Sequence, residues 1–118
     1  MWQLARVIVT EVHNMTLNLP KFEMCEEGSQ IRRSSKSTKS NIVEGYGRRI
    51  YKNEYIRYII FALASNNETL DHLENLFETG SLADKVLYDE LHNKIEVLGK
   101  KLNRFLQTVQ IKHLSDKK

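Results

Sequence analysis

The residues best suited to chemistry in this sequence are cations gathered in the stretch Ser29–Tyr58. This stretch holds eight basic and two acidic residues, a net charge of +6, whereas the whole chain of 118 residues carries +3. Several permanent positive charges in a short stretch can follow a phosphate backbone. The residues predicted to contact phosphate are Arg32, Arg33, Lys36, Lys39, Arg48, Arg49 and Lys52.

No motif of a base-reading module accompanies these cations. The predicted binding is therefore through phosphate charge and independent of base sequence, with RNA or DNA backbone as the partner. The alternative is a solvated helix face that serves solubility, in which Arg48 and Arg49 offset the negative end of a helix dipole. Sequence alone leaves both interpretations open.

A second group of residues predicts a polar corner between two helices, made of Asn41, Glu44, Gly45, Gly47 and Arg48. Asn41 and Glu44 lie about one helical turn apart. Arg48 can fold back on Glu44 as a charge-assisted pair. Glycine readily adopts positive φ, so Gly45-Tyr46-Gly47 predicts a helix end. A structural lock is the favoured interpretation, and a small-ligand or peptide site is the alternative.

Four tyrosines lie among or beside these cations: Tyr46, Tyr51, Tyr55 and Tyr58. Aromatic rings interleaved with arginines can stack nucleic-acid bases. For Tyr55 and Tyr58 the favoured interpretation is packing in a core or an interface, with their hydroxyls reaching the rim.

Metal binding and catalysis have little support. Asp89-x-x-His92 matches one acid-x-x-His step of di-iron bundles, but no second such step accompanies it, and Glu68 and His72 are only a helical pair. Cys25 lacks a nucleophile motif and is predicted to be a small buried hydrophobe. No glycine-rich phosphate loop or Ser-His-Asp arrangement is present. We expect no metal, no cofactor and no enzymatic activity.

The elements that position these residues are predicted to be four helices in one domain, residues 1–118. One proline and five glycines favour long helices. Apolar residues recur at helical spacing over residues 2–17, 23–44, 51–78 and 82–111. The expected fold is all-α, an antiparallel up-down-up-down four-helix bundle. His13 and His113, near the termini, are expected to be exposed, and Lys112–Lys118 to be a frayed tail.

The faces of the two central helices predict how they pack. The second helix turns small hydroxyl residues inward, including Ser34, Ser35 and Thr38, which lets a neighbouring helix approach closely. The third helix has one apolar stripe from Tyr55 to Leu76 and a second face at Ile56, Ile60, Leu63 and Leu70. A helix that is apolar on two faces must be covered on both, which favours a central position or a homo-oligomer. The buried amide of Asn66 would need a hydrogen-bond partner.

The sequence also indicates a compartment. It shows no signal peptide, its longest apolar run is far shorter than a membrane span, and it has one cysteine. We therefore expect a cytoplasmic protein without membrane contact.

The central segments resemble the 23S rRNA-intervening-sequence proteins, also called the four-helix-bundle protein family. The resembling strings are Gln30-Ile31-Arg32-Arg33-Ser34, Ser40-Asn41-Ile42-Val43-Glu44-Gly45, Gly47-Arg48 and Glu54-Tyr55-Ile56-Arg57-Tyr58. Thr38-Lys39 and Ala64 depart from the family pattern. The fourth helix matches only in its hydrophobic pattern.

The resemblance implies an antiparallel four-helix bundle that assembles as a homopentamer. A related branch acts as the accessory subunit of diversity-generating retroelements, where a basic pentamer binds nucleic acid and a reverse transcriptase. It therefore implies nucleic acid and a reverse transcriptase or another protein as partners. The competing hypothesis is a protein-interaction scaffold that does not bind nucleic acid.

Overall fold

The structure is a computed structural model that describes residues 1–113, so residues 114–118 of the predicted tail lie outside the described part. The helices are α1 (Trp2–Thr16), α2 (Lys21–Cys25), α3 (Glu27–Gly47), α4 (Lys52–Glu78) and α5 (Lys85–Ile111). No strand occurs in residues 1–113, and the predicted all-α class is confirmed. None of the described helices is long and apolar enough to cross a membrane.

The core is built from the stripes that the periodicity indicates. On α4 the predicted positions from Ile59 to Leu76 are buried, while Tyr55 is half-buried. On α5 the stripe that begins at Leu91 and ends at Val109 is buried except for Phe105. The bundle is 55 Å long and about 20 Å across.

Small hydroxyl side chains join α3 to α4. Thr69 Oγ1 donates to Ser34 Oγ at 2.8 Å, and the hydroxyls of Ser37 and Ser65 lie 2.9 Å apart. Ser34 is buried, and its own hydroxyl donates to the Ile31 carbonyl of its helix. The short side chains allow the close approach that the sequence predicts.

The buried amide of α4 finds its partner on α5. Nδ2 of Asn66 donates to the Ile95 carbonyl oxygen at 3.0 Å. Gly99 provides the room, because a Cβ there would lie 3.1 Å from that nitrogen. The polar group is therefore satisfied inside the subunit, without a second copy.

The predicted second helix, residues 23–44, is wrong in its limits. The chain breaks at Glu26, with φ −95° and ψ −101°, into the short α2 and the longer α3. The two pieces pack tightly, since a Cβ on Gly28 would lie 2.7 Å from the Glu23 carbonyl oxygen. Arg32 adds a tie across the break by donating to the Met24 carbonyl at 2.9 Å.

The predicted second helix ends within the stop Gly45-Tyr46-Gly47, but three residues later than predicted and without the predicted positive φ. All three residues belong to α3, and Gly80 is the one residue with positive φ in the described part of the chain. Gly45 is buried because α4 passes close to it, and a Cβ there would lie 3.2 Å from the Tyr58 Cβ. Gly45 serves close packing, and α3 ends at Gly47.

Candidate nucleic-acid interface

The seven predicted cations are spread along α3 and the turn that follows it, residues 48–51. Lys36 and Arg49 are thirteen positions apart in the sequence. At the helical rise of 1.5 Å per residue this places their backbones about 20 Å apart. The seven therefore lie in two groups, Arg32 to Lys39 and Arg48 to Lys52.

The first group is mixed in character. Arg32 is half-buried and committed to the Met24 carbonyl, so its role is structural. Arg33 and Lys36 are exposed and Lys39 is half-buried. Within residues 1–113 these three side chains contact no acidic group, which leaves their charge available to a ligand.

Arg48 is neutralised by acidic neighbours. Its Nε lies 3.3 Å from Glu44 Oε2 and its Nη1 lies 3.7 Å from Glu54 Oε1. The hydrogen bond to Glu44 raises the pKa of the Arg48 guanidinium above its ordinary value. This arrangement closes the α3–α4 turn and leaves Arg48 little charge for an outside partner.

Arg49 is presented to solvent together with an aromatic ring. Its guanidinium lies 4.1 Å from the centre of the Tyr46 ring, and Nη1 donates to the Tyr46 carbonyl at 3.0 Å. Tyr46 and Tyr51 are exposed. In contrast Tyr55 is half-buried and packs edge-on against Phe105. Lys52 is half-buried at the first position of α4.

The predicted corner separates into two arrangements. Nδ2 of Asn41 donates to the carbonyl and the hydroxyl of Ser37, at 2.9 and 3.2 Å, and extends the hydroxyl contacts between α3 and α4. Glu44 is joined to Arg48. Gly45 packs against α4, while Gly47 is exposed with nothing near its Cβ position.

Charge is divided along the length of the bundle. Contacts between Ser37 and Ser65 and between Glu11 and Lys94 mark its middle. We call residues 1–10, 37–65 and 96–113 the basic end; it holds ten basic and three acidic residues, a net charge of +7. We call residues 11–36 and 66–95 the acidic end; it holds six basic and eleven acidic residues, a net charge of −5.

The acidic end perturbs a group within it. Burial, together with the carboxylates of Glu74, Glu78 and Asp89, raises the pKa of the Tyr88 phenol. Three of the predicted phosphate-binding residues, Arg32, Arg33 and Lys36, lie in this acidic end. They are therefore distant from the region where the positive electrostatic potential is strongest. Such a field gathers a polyanion at one end of the molecule.

Sequence reasoning missed part of the basic end. Residues 97–113 contain four cations and no acid, and Arg6 joins them from α1. The absence of acids from that long run was the available signal. It was overlooked because the hydrophobic pattern of α5 dominates it. The missed cations on α5 are Lys100, Lys101 and Arg104.

Two predictions of exposure are wrong. His113 is only 3% exposed, and its Nε2 donates to the Arg49 carbonyl oxygen at 2.6 Å, which ties the chain after α5 to the α3–α4 turn. Cys25, expected to be buried, is exposed because α2 lies at the edge of the bundle. His13 is exposed as predicted.

The histidines of the possible metal steps are engaged elsewhere. His92 lies 2.9 Å from Glu74 and 3.3 Å from Glu96, and His72 lies 3.1 Å from Glu27. Among residues 1–113 no group of three or more His, Cys, Asp or Glu side chains is arranged so that it could hold a metal ion.

An apolar groove of about 540 Å³ opens at the basic end. It lies where the beginning of α1, the end of α3, the beginning of α4 and the end of α5 meet. Side chains from all four helices line it, among them Trp2, Val43, Tyr55 and Phe105. Burial raises the pKa of the Tyr55 phenol, and the positive charge of Arg49 opposes this shift.

The chain belongs to the 23S rRNA-intervening sequence protein family, whose model matches residues 1–104. A solved structure with a similar fold is that of a protein of unknown function from the S23 ribosomal protein family of Bacteroides thetaiotaomicron VPI-5482. It aligns with a TM-score of 0.78 and 24% identity over 91% of this chain and 98% of that one, which shows a shared fold. Among curated proteins none has significant sequence similarity.

Proposed function

We propose that this chain is a non-enzymatic, homo-oligomeric helical-bundle protein that binds the phosphate backbone of RNA or DNA without base preference. The observation that carries the proposal is the division of charge, with a net +7 at one end of a 55 Å bundle. Phosphate contacts supply most of the affinity in sequence-independent binding. The cytoplasm, where nucleic acid is abundant, is the proposed location.

The proposed contact surface is drawn from the basic end. It takes Arg49 from the predicted cluster and adds the cations of α5. Lys39 is left out because it lies within one helical turn of Lys36, at the boundary between the two ends. Arg32 and Arg48 are left out because both are committed to partners within the chain. Arg33 and Lys36 are left out because they lie in the acidic end. The stacked Arg49–Tyr46 pair and Tyr51 offer exposed rings for unpaired bases.

Binding as a function of salt tests this proposal. The protein is titrated into labelled single-stranded RNA and DNA of several sequences while fluorescence anisotropy is followed. We expect similar affinities for every sequence, and the logarithm of the binding constant falling linearly with the logarithm of salt concentration. Absence of binding at low salt, or binding that salt leaves unchanged, would contradict the proposal.

We also propose the up-down-up-down topology for the subunit. Contact partners along neighbouring helices run in opposite order, which supports antiparallel pairs. The supporting pairs are Glu27 with Asn75, Ser37 with Ser65, Asn66 with Ile95 and Phe77 with Tyr88.

Homo-oligomer formation, with five subunits as the family resemblance implies, is the second part of the proposal. Leu63 and Leu70, from the second apolar face of α4, pack against the subunit's own core. Ile60 and Phe61 remain 46% and 41% exposed, and a second copy would cover them. Light scattering is expected to give a mass several times that of the chain; a single species of 13.8 kDa would contradict it.

The competing function is a protein-interaction scaffold whose partner is a reverse transcriptase or another protein. The pairing of Arg48 and Arg57 with Glu54 favours it, since these cations already serve the subunit itself. A scaffold would lose its protein partner or its assembly after charge reversal at the basic end. Nucleic-acid binding would then be absent from the outset.

A further inference from the structure

The groove at the basic end combines an apolar lining with two guanidinium groups beside it. Its lining is almost wholly carbon, and its volume of about 540 Å³ falls within the range of small-ligand pockets. Two of its aromatic walls carry guanidinium groups: Arg6 lies 4.8 Å from the centre of the Trp2 ring, and Arg49 lies 4.1 Å from that of Tyr46.

This pairing specifies the chemistry of an occupant. A nucleic-acid backbone does not suit the interior, because apolar walls cannot satisfy buried phosphate oxygens. A hydrocarbon chain suits it, and the net +7 of the surrounding end favours a negative head group over a neutral or positive one. We propose that the groove binds a single long-chain carboxylate, with its chain along Val43 and Phe105 and its carboxylate near Arg49.

Further details agree with this placement. Arg49 acts electrostatically on the Tyr55 phenol, which lines the groove, so its charge reaches the cavity. Tyr46 and Trp2 are 59% and 43% exposed, which leaves the groove open to a ligand from solvent. The site goes beyond nucleic-acid binding and does not depend on it.

The test uses the one tryptophan of the chain, Trp2, which lines the groove. The full-length protein is titrated with octanoate, decanoate and dodecanoate below their micelle concentrations while Trp2 fluorescence is followed. We expect saturation at one ligand per chain, and affinity rising about fourfold for each added methylene. Dodecanol and dodecyltrimethylammonium are expected to bind at least about tenfold more weakly than dodecanoate.

Two substitutions locate the ligand. Val43→Glu places a negative charge on a half-exposed wall of the groove, and is expected to weaken dodecanoate binding at least about tenfold. Val86→Glu is the matched control, since Val86 is 68% exposed on α5 in the acidic end, and its effect is expected to stay within about twofold. Calorimetry provides a readout independent of Trp2. Circular dichroism checks folding, and Tyr46→Glu replaces Val43→Glu should that variant unfold.

Several results would overturn the inference. One is dodecanoate binding that Val43→Glu leaves intact. Another is equal affinity for dodecanol, which would remove the role of charge. A third is failure of dodecanoate to bind the full-length protein. A last contrary result is that free dodecanoate does not bind saturably, while phosphatidylglycerol vesicles bind both the unmodified protein and Val43→Glu. The basic end would then bind a membrane surface and not a single carboxylate.

Discussion

Replacing both Arg49 and Arg104 by glutamate is expected to weaken binding of single-stranded RNA about a hundredfold at low salt. Both side chains are exposed and both belong to the basic end, Arg49 in the α3–α4 turn and Arg104 on α5. Each reversal removes one phosphate contact and adds a repulsion, so the slope of log affinity against log salt for single-stranded RNA should also fall by about 1.4. Anisotropy titrations across a salt series measure both quantities.

The matched control is the pair Arg33→Glu and Lys36→Glu. It changes the net charge by the same amount, and both side chains are exposed on α3. These cations lie about 20 Å along the helix from Arg49, beyond a Debye length at 0.1 M salt. Affinity is expected to change less than about threefold. A greater loss of RNA affinity in the Arg33 and Lys36 variant than in the Arg49 and Arg104 variant would contradict the proposal. It would mean that RNA binds the α3 cations predicted from sequence and not the basic end.

Gly28→Ala is expected to lower the free energy of unfolding by about 2 kcal/mol. The added Cβ would lie 2.7 Å from the Glu23 carbonyl oxygen, and backbone cannot move aside as a flexible side chain can. α2 is also held from the other side, because the Ser81 hydroxyl donates to the Glu23 carboxylate. Relief of the clash by a shift of α2 would therefore also disturb this hydrogen bond. Urea unfolding followed by circular dichroism gives the change.

Gly47→Ala provides the comparison at the other end of α3. Its Cβ would meet nothing within 4 Å, and its backbone has no positive φ. Alanine restricts the unfolded chain more than glycine does, so we expect a gain of about 0.5 kcal/mol. A clear loss of stability in Gly47→Ala would instead mean that this glycine ends the helix in a left-handed conformation, as the sequence predicts.

The apolar stripes could be predicted because helical periodicity is a local property. The positions from Ile59 to Leu76 and from Leu91 to Val109 follow directly from spacing, and the structure buries nearly all of them. The hydroxyl face of α3 was also predictable, because small side chains in a stripe signal a close neighbour. The partners within it, such as Thr69 for Ser34, depend on register between helices.

The break at Glu26 and the role of Gly45 could not be predicted, because both depend on tertiary contacts. Glycine has two uses, positive φ and close approach, and the sequence does not distinguish them. At Gly45 the neighbour is Tyr58 on α4, and at Gly28 it is the backbone of α2. His113 belongs to the same class, since its partner, the Arg49 carbonyl, is distant in sequence.

The candidate site required the fold for a different reason. The cations of α3 form a visible run, while those of α5 are spread along an amphipathic helix. Lys101 and Arg104 come to lie at the same end of the molecule as Arg49 only because the fold places the end of α5 beside the end of α3. The same placement puts Arg33 and Lys36 in the acidic end. The net charge of +6 over residues 29–58 does not indicate this, because the acidic neighbours are on other segments.

The most direct test of the proposed surface is lysine acetylation of the assembled protein with and without bound RNA, read by mass spectrometry. Lys100 and Lys101 in the basic end, and Lys21 and Lys36 in the acidic end, are all exposed and make no ion pair within residues 1–113, so they are comparable. We expect RNA to slow modification of the first pair at least about threefold and to leave the second pair unchanged. Protection of Lys36 without protection of Lys100 and Lys101, or equal protection at both ends, would contradict the account.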